Sequence, residues 1–178
     1  NEVSALMGLF SSMLESERDN LRDEGVRFRV IGDRSGLDDA LVDQIERTEA
    51  ETRDNRRLDL VLAANYGGRW DITAAARQIA AEAARGELDP EAVGERELAA
   101  RLSSADLPEP DLFIRTAGER RISNFLLWQL AYTELYFSET LWPDFGQEAL
   151  DTALADFGRR QRRFGFTGEQ IEGQSHGA

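Results

Sequence analysis

The densest chemistry in the sequence lies between residues 112 and 125. Leu112-Phe113-Ile114 reads as a short buried strand that delivers Arg115 to its carboxyl end, the edge at which open α/β sheets bind ligands. A polar loop with Gly118, Arg120, Arg121 and Ser123 follows, and the spacing predicts a helix over 124–131. A guanidinium fork matches phosphate oxygens two at a time and never loses its charge. Ser123 adds a hydroxyl, and a helix start would add free N–H groups aimed at an anion. Together these groups make a diphosphate clamp. The alternative is that the arginines pair with surface carboxylates, which are plentiful.

Three other constellations invite chemistry. Arg159, Arg160, Arg162 and Arg163, followed by Phe164-Gly165, form a second concentration of arginine, which would also suit a helix C-terminus. Glu134 sits among aromatics in Tyr132-Thr133-Glu134-Leu135-Tyr136-Phe137, where an unpaired carboxylate would be costly. It could hold Mg²⁺, which takes one or two carboxylates plus substrate phosphates, or serve as partner to an arginine. Asn65-Tyr66-Gly67-Gly68-Arg69 follows a strand and so lies at a ligand edge, although a tight turn explains it equally.

The elements needed to position these groups follow from periodicity. Val3, Leu6, Met7, Phe10, Met13, Leu14 and Leu21 keep helical spacing, and Gly25 is a natural stop. Val26–Ile31 alternates as a strand, and Leu37, Leu41, Ile45 and Thr48 carry a second helix. The apolar run 58–64 predicts a strand covered on both faces, as in parallel sheets. Asp71 is the expected N-cap of a helix over 72–85, ended by Gly86; Asp89-Pro90 opens a short helical region continued over 95–102. Glu134–Phe137 is one more strand, and a last helix runs from Asp144 or Gly146 to about Arg163. Strands alternating with helices imply an α/β fold, a mostly parallel central sheet with helices on both faces.

Composition narrows the classes. At 178 residues the chain suits one domain, expected over 1–165, with a flexible tail over 166–178. The net charge of −13 repels a phosphate backbone, so no nucleic-acid partner is expected. All 21 basic residues are arginine. There is no cysteine, no apolar leader and no membrane-length apolar run, so the cytoplasm is the default compartment.

Taken in order, these motifs are specific. Asn65-Tyr66-Gly67-Gly68-Arg69, the block Ile114-Arg115-Thr116-x-Gly118-Glu119-x-Arg121-x-Ser123-Asn124-Phe125-Leu126-Leu127-Trp128-Gln129, Glu134-Leu135-Tyr136-Phe137, Leu141-Trp142-Pro143-Asp144-Phe145 and Arg162-Arg163-Phe164-Gly165 resemble the undecaprenyl diphosphate synthase family of cis-prenyltransferases. The resemblance implies condensation of isopentenyl diphosphate units onto farnesyl diphosphate with new cis double bonds, giving a lipid carrier for cell-wall synthesis. It implies that Arg115, Arg121 and Ser123 hold the diphosphate of isopentenyl diphosphate with the backbone of Ile122, and that Glu134 helps bind Mg²⁺. It implies a homodimer in which Arg163 and Gly165 reach the partner's site, and transient contact with a membrane surface for product release. Leu6, Phe10 and Leu58 would line the channel for the growing chain, with core packing an equal alternative. Some members carry a metal-binding His where this chain has Arg120, which cannot ligate a cation. The family's Asp-Gly-Asn-Gly-Arg-Trp loop, which grips the allylic diphosphate and supplies an essential Asp, is expected to lie before Asn1. No catalytic residue is therefore assigned within the chain, which on this reading is part of a longer protein and inactive alone. The competing expectation is a non-catalytic subunit of the same family that stabilises an active partner.

Overall fold

The computed structural model describes residues 2–160; Arg162, Arg163 and Gly165, and the expected tail, lie outside the described residues. The chain divides into two compact units, one up to Asp106 and one from Leu107.

The first unit opens with α1 (Glu2–Asp23), which ends where Gly25 adopts a φ of +70°. Strand β1 (Val26–Ile31) follows. Helix α2 (Asp39–Thr52) begins where the Asp38 side chain accepts from the Ala40 N–H at 3.0 Å. Strand β2 (Leu58–Ala63) lies parallel to β1, with Val26 opposite Leu58 and Ile31 opposite Ala63. Asn55 ties the junctions together: its amide donates to the carbonyls of Leu21, Arg22 and Val26 at 3.2, 3.2 and 2.9 Å. Leu14 of α1, Phe28 and Val30 of β1, and Leu41 and Ile45 of α2 form the core, with Phe10 and Leu62 packed against it.

Helix α3 (Gly68–Ala84) starts a turn earlier than the spacing predicts, with Gly67 as N-cap. Asp71 is therefore not the cap. It is buried in the first turn, where it accepts from the Tyr66 hydroxyl and from the Ser103 N–H, both at 2.9 Å. A one-turn 3-10 helix at Pro90–Ala92 and the short α4 (Glu95–Ala99) complete the unit.

The expected two-sided cover of β2 is not met. Leu58 is 57 % exposed and Leu60 37 %, because β1 is the only strand paired with β2 among the described residues. Asp59, the one charge in that run, stands opposite Arg27 and pairs with it.

The second unit contains β3 (Leu112–Arg115) parallel to β4 (Glu134–Phe137), with Leu112 opposite Glu134 and Arg115 opposite Phe137. Helix α5 (Gln147–Arg159) packs against β4. Both strand pairs are parallel and both units mix strand with helix, as an α/β fold requires. The helix expected over 124–131 is a chain of turns instead. Ser123, Asn124 and Leu126 have φ values of +48°, +62° and +43°, which a right-handed helix cannot contain. Gln129 and Leu130 are still buried, so the apolar pattern reported burial correctly and misreported its geometry.

Candidate functional site

Strand β3 ends at Arg115, and the loop that follows folds back over that end. Two backbone bonds fix its base: Ala117 N–H donates to Thr140 O at 2.8 Å, and Gly118 N–H to Ser138 O at 2.9 Å. Gly118 has a φ of +69°, and a Cβ there would stand 2.6 Å from a Glu139 carboxylate oxygen. Arg120 pairs with the same carboxylate at 3.3 Å.

Arg115 organises the far side of the loop. One of its nitrogens, Nη1, donates to the Arg121 carbonyl and, at 2.8 Å, to the Ser123 hydroxyl. The three residues read from sequence as clamp members, with Ile122 between two of them, are thus gathered at one strand end. The Arg121 guanidinium is ion-paired with Glu119, both side chains largely open to solvent. A cationic loop of this kind can exchange a weak carboxylate partner for a phosphate, whose oxygens match the guanidinium fork better. No α-helix begins at this loop, so helix-terminal N–H groups do not contribute.

Glu134 lies elsewhere. It is three positions before the residue opposite Arg115, about 10 Å along the strand pair. Alternation puts it on the Leu112 face, opposite the face that carries Arg115. Its Oε2 accepts from Arg160 Nη1 at 2.9 Å; the same nitrogen donates to Leu135 O at 2.9 Å, and Arg160 also grips Asp156 at 2.6 Å. These partners, Glu134 first and Asp156 second, raise the Arg160 pKa. Arg160 is the residue that sequence reasoning undervalued, although Asp156 and Arg160 stand four apart, the spacing of a helical ion pair. Among the described residues no three His, Asp or Glu side chains cluster as a dedicated cation cage.

The expected channel residues lie in the first unit. Phe10 packs on the core, while Leu6 is 59 % exposed, and Leu9, Met13, Leu58 and Leu60 are exposed too. Leu60 is the register partner of the core residue Phe28, so Leu58 and Leu60 lie on the side of the sheet that carries α1 and α2. Of the Asn65–Arg69 segment, Asn65 and Tyr66 form the turn that leads to the Gly67 cap, with Asn65 at a φ of +49° and its amide donating to Asp33 O at 2.8 Å, while Gly68 and Arg69 open α3. No helix among the described residues is long and apolar enough to cross a membrane.

Comparison with known proteins agrees with the motif reading. A family model described as putative undecaprenyl diphosphate synthase matches residues 1–165. An isoprenyl transferase of Nitrosomonas europaea is 56 % identical over 176 residues, covering 97 % of this chain and 65 % of the relative. A ditrans,polycis-undecaprenyl-diphosphate synthase, (2E,6E)-farnesyl-diphosphate specific, of Xanthomonas axonopodis pv. citri is 54 % identical over 171 residues, covering 96 % of this chain and 66 % of the relative. Among solved structures, lavandulyl diphosphate synthase from Lavandula x intermedia in complex with dimethylallyl diphosphate has a TM-score of 0.87 at 42 % identity, covering 92 % of this chain and 71 % of that one. A probable undecaprenyl diphosphate synthase from Campylobacter jejuni has a TM-score of 0.80 at 34 % identity, covering 92 % and 74 %. The chain spans about two thirds of the length of the first two relatives.

Proposed function

Because the chain belongs to the undecaprenyl diphosphate synthase family of cis-prenyltransferases, we propose that its Arg115 loop holds the diphosphate of isopentenyl diphosphate in an enzyme that adds this unit to farnesyl diphosphate. The observation that carries the proposal is the Arg115 fork, which gathers the Arg121 carbonyl and the Ser123 hydroxyl at the carboxyl end of β3. Arg121 supplies the second guanidinium once Glu119 releases it, and Ile122 supplies backbone.

The chemistry follows from charge. The allylic diphosphate departs, the alkene of isopentenyl diphosphate attacks the carbon it leaves, and a proton is lost to form the new double bond. Fixed cationic donors beside the diphosphates stabilise the charge that builds on them, and holding two substrates together removes much of the entropic barrier. The repeated product is undecaprenyl diphosphate, a lipid carrier for the cell wall. Its tail follows the apolar surface of Leu6, Leu9, Leu58 and Leu60.

Mg²⁺, the expected cofactor, would neutralise diphosphate charge. Glu134 offers it one carboxylate, which suffices when phosphates supply further ligands. Within one subunit Glu134 does not fit a cation shared with the Arg115 loop, since the two occupy opposite ends and faces of the strand pair. A homodimer, in which Arg163 and Gly165 reach the other subunit's site, would bring a second subunit's diphosphate to Glu134. The working site is cytoplasmic, with transient membrane contact as product leaves.

The test is calorimetric titration of isopentenyl diphosphate into this chain and into Arg115→Gln. Binding to the first, weakened at least tenfold in the second, supports the assignment. Equal affinities remove Arg115 from the site.

A further inference from the structure

Glu134 is not a free carboxylate, and the side chain that holds it is itself held. Arg160 caps the C-terminus of α5, where its N–H donates to Phe157 O at 3.0 Å. Asp156, one turn earlier on the same helix, accepts through a single oxygen, Oδ2, from Arg160 Nε at 3.0 Å and from Nη2 at 2.6 Å. The remaining nitrogen, Nη1, reaches β4 and donates to Glu134 Oε2 and to Leu135 O, both at 2.9 Å. Side-chain exposures of 29 % for Glu134 and 32 % for Arg160 put the pair in partial shelter, where a fixed charge acts more strongly than at an open surface.

This arrangement limits what Glu134 can offer a metal ion. A carboxylate takes a cation through both oxygens or through one. Arg160 occupies Oε2, and Oε1 has no hydrogen-bond or ion-pair partner among the described residues, so ligation through one oxygen remains. The guanidinium also sets a permanent positive charge beside that oxygen, which opposes a bare divalent ion. A cation that arrives on a diphosphate brings its own neutralising charge and meets less of that opposition.

We propose that Arg160 is a positioning residue that guards Glu134. It confines the carboxylate to one oxygen and keeps it from capturing a bare divalent cation, so that metal is accepted there together with a diphosphate. Asp156 keeps the guard in place. The inference rests on the assignment of Glu134 as a metal ligand in the proposed function. A plain strut between α5 and β4 would make the same contacts, but its loss would leave metal uptake unchanged.

Water-proton relaxation with Mn²⁺, a paramagnetic stand-in for Mg²⁺, separates the two roles. It is measured on the chain, Arg160→Gln, Arg160→Lys, Glu134→Gln and the double variant Arg160→Gln/Glu134→Gln, with a thermal melt of each to confirm folding. Arg160→Met, which keeps the packing of the stem, replaces the glutamine variant if that one does not fold. Affinity for Mn²⁺ alone should rise on the order of tenfold or more in Arg160→Gln. It should stay near the wild-type value in Arg160→Lys, which keeps the charge, and the gain should vanish in the double variant. Added inorganic diphosphate should narrow the gap between wild type and Arg160→Gln. Unchanged affinity in Arg160→Gln makes Arg160 a strut and overturns the guard; a drop in Glu134→Gln would then leave Glu134 standing as a ligand. A gain that persists in the double variant takes the metal away from Glu134, and the guard falls with that assignment. An equal gain in Arg160→Lys, or a gap that diphosphate does not narrow, overturns the charge argument and the proposal built on it.

Discussion

Replacing Arg121 by alanine separates a ligand-gripping arginine from a surface ion-pair partner. In the free protein its guanidinium is held by Glu119, with side-chain exposures of 66 % and 41 %. An exposed pair of this kind is worth about 0.2–1 kcal/mol. A charge-assisted contact to a diphosphate is worth about 1.5–3 kcal/mol. Arg121→Ala should therefore weaken isopentenyl diphosphate binding about 10- to 150-fold by calorimetry at fixed ionic strength. Glu119→Gln should act in the opposite direction, because it frees Arg121 from a competitor; the gain is bounded by the pair itself, up to about fivefold. The two variants thus predict opposite signs from one geometry. Unchanged affinity in Arg121→Ala would exclude it from the clamp. A loss in Glu119→Gln matching that of Arg121→Ala would show that Glu119 contacts the ligand itself, and would refute the competition argument.

Three further outcomes follow from other positions. Leu58→Ala, at an exposed site, should cost under about 1 kcal/mol where Ile45→Ala costs about 2–5; in the complete enzyme it should lengthen the polyprenyl products, and an unchanged chromatographic profile would remove Leu58 from the channel. Gly32 has a φ of +123° and a Cβ there would meet Ala64 O at 2.0 Å, so Gly32→Ala should cost about 2 kcal/mol or more in thermal melts, whereas Gly8→Ala, with open space around it, should be neutral or stabilising. The hydrogen bond from Arg29 holds the Asp106 carboxyl below its ordinary value of 3.8. Its folded pKa is the lower one, so its contribution is present above pH 3.8 and fades as pH falls through the folded value; the stability gap between the wild type and Asp106→Asn should be constant near neutrality and close in acid, and a gap independent of pH would contradict the assignment.

Periodicity was informative wherever one face of an element decides its fate. Val26–Ile31, Glu134–Phe137 and the face Leu41-Ile45-Thr48 are found where the spacing puts them, because burial alone selects their conformation. It misled where backbone chirality or an element's neighbours decide. The segment 124–131 is apolar enough for a helix, but residues 123, 124 and 126 turn left-handed to close the loop over β3. Asp71 looks like a cap, yet its oxygens are claimed by the Tyr66 hydroxyl, five positions before it, and by the Ser103 N–H, thirty-two positions after it. The gathering of Arg115, Arg121 and Ser123 at one strand end was legible because strand, loop and arginine spacing are local. The Glu134–Arg160 pair spans 26 positions, and a one-dimensional reading could offer it only as one of two alternatives.

Asn55 carries a consequence for the order of events during synthesis. The carbonyls at the end of α1 and the start of β1 receive its amide from about thirty positions downstream. As the chain emerges from the ribosome, that corner stays solvated and free to fray until α2 has also left the exit tunnel. Helix α1 is thus made before β1 and α2 but not completed before them, and a pause in translation just before the codon for Asn55 would prolong the life of an unfinished, sticky intermediate.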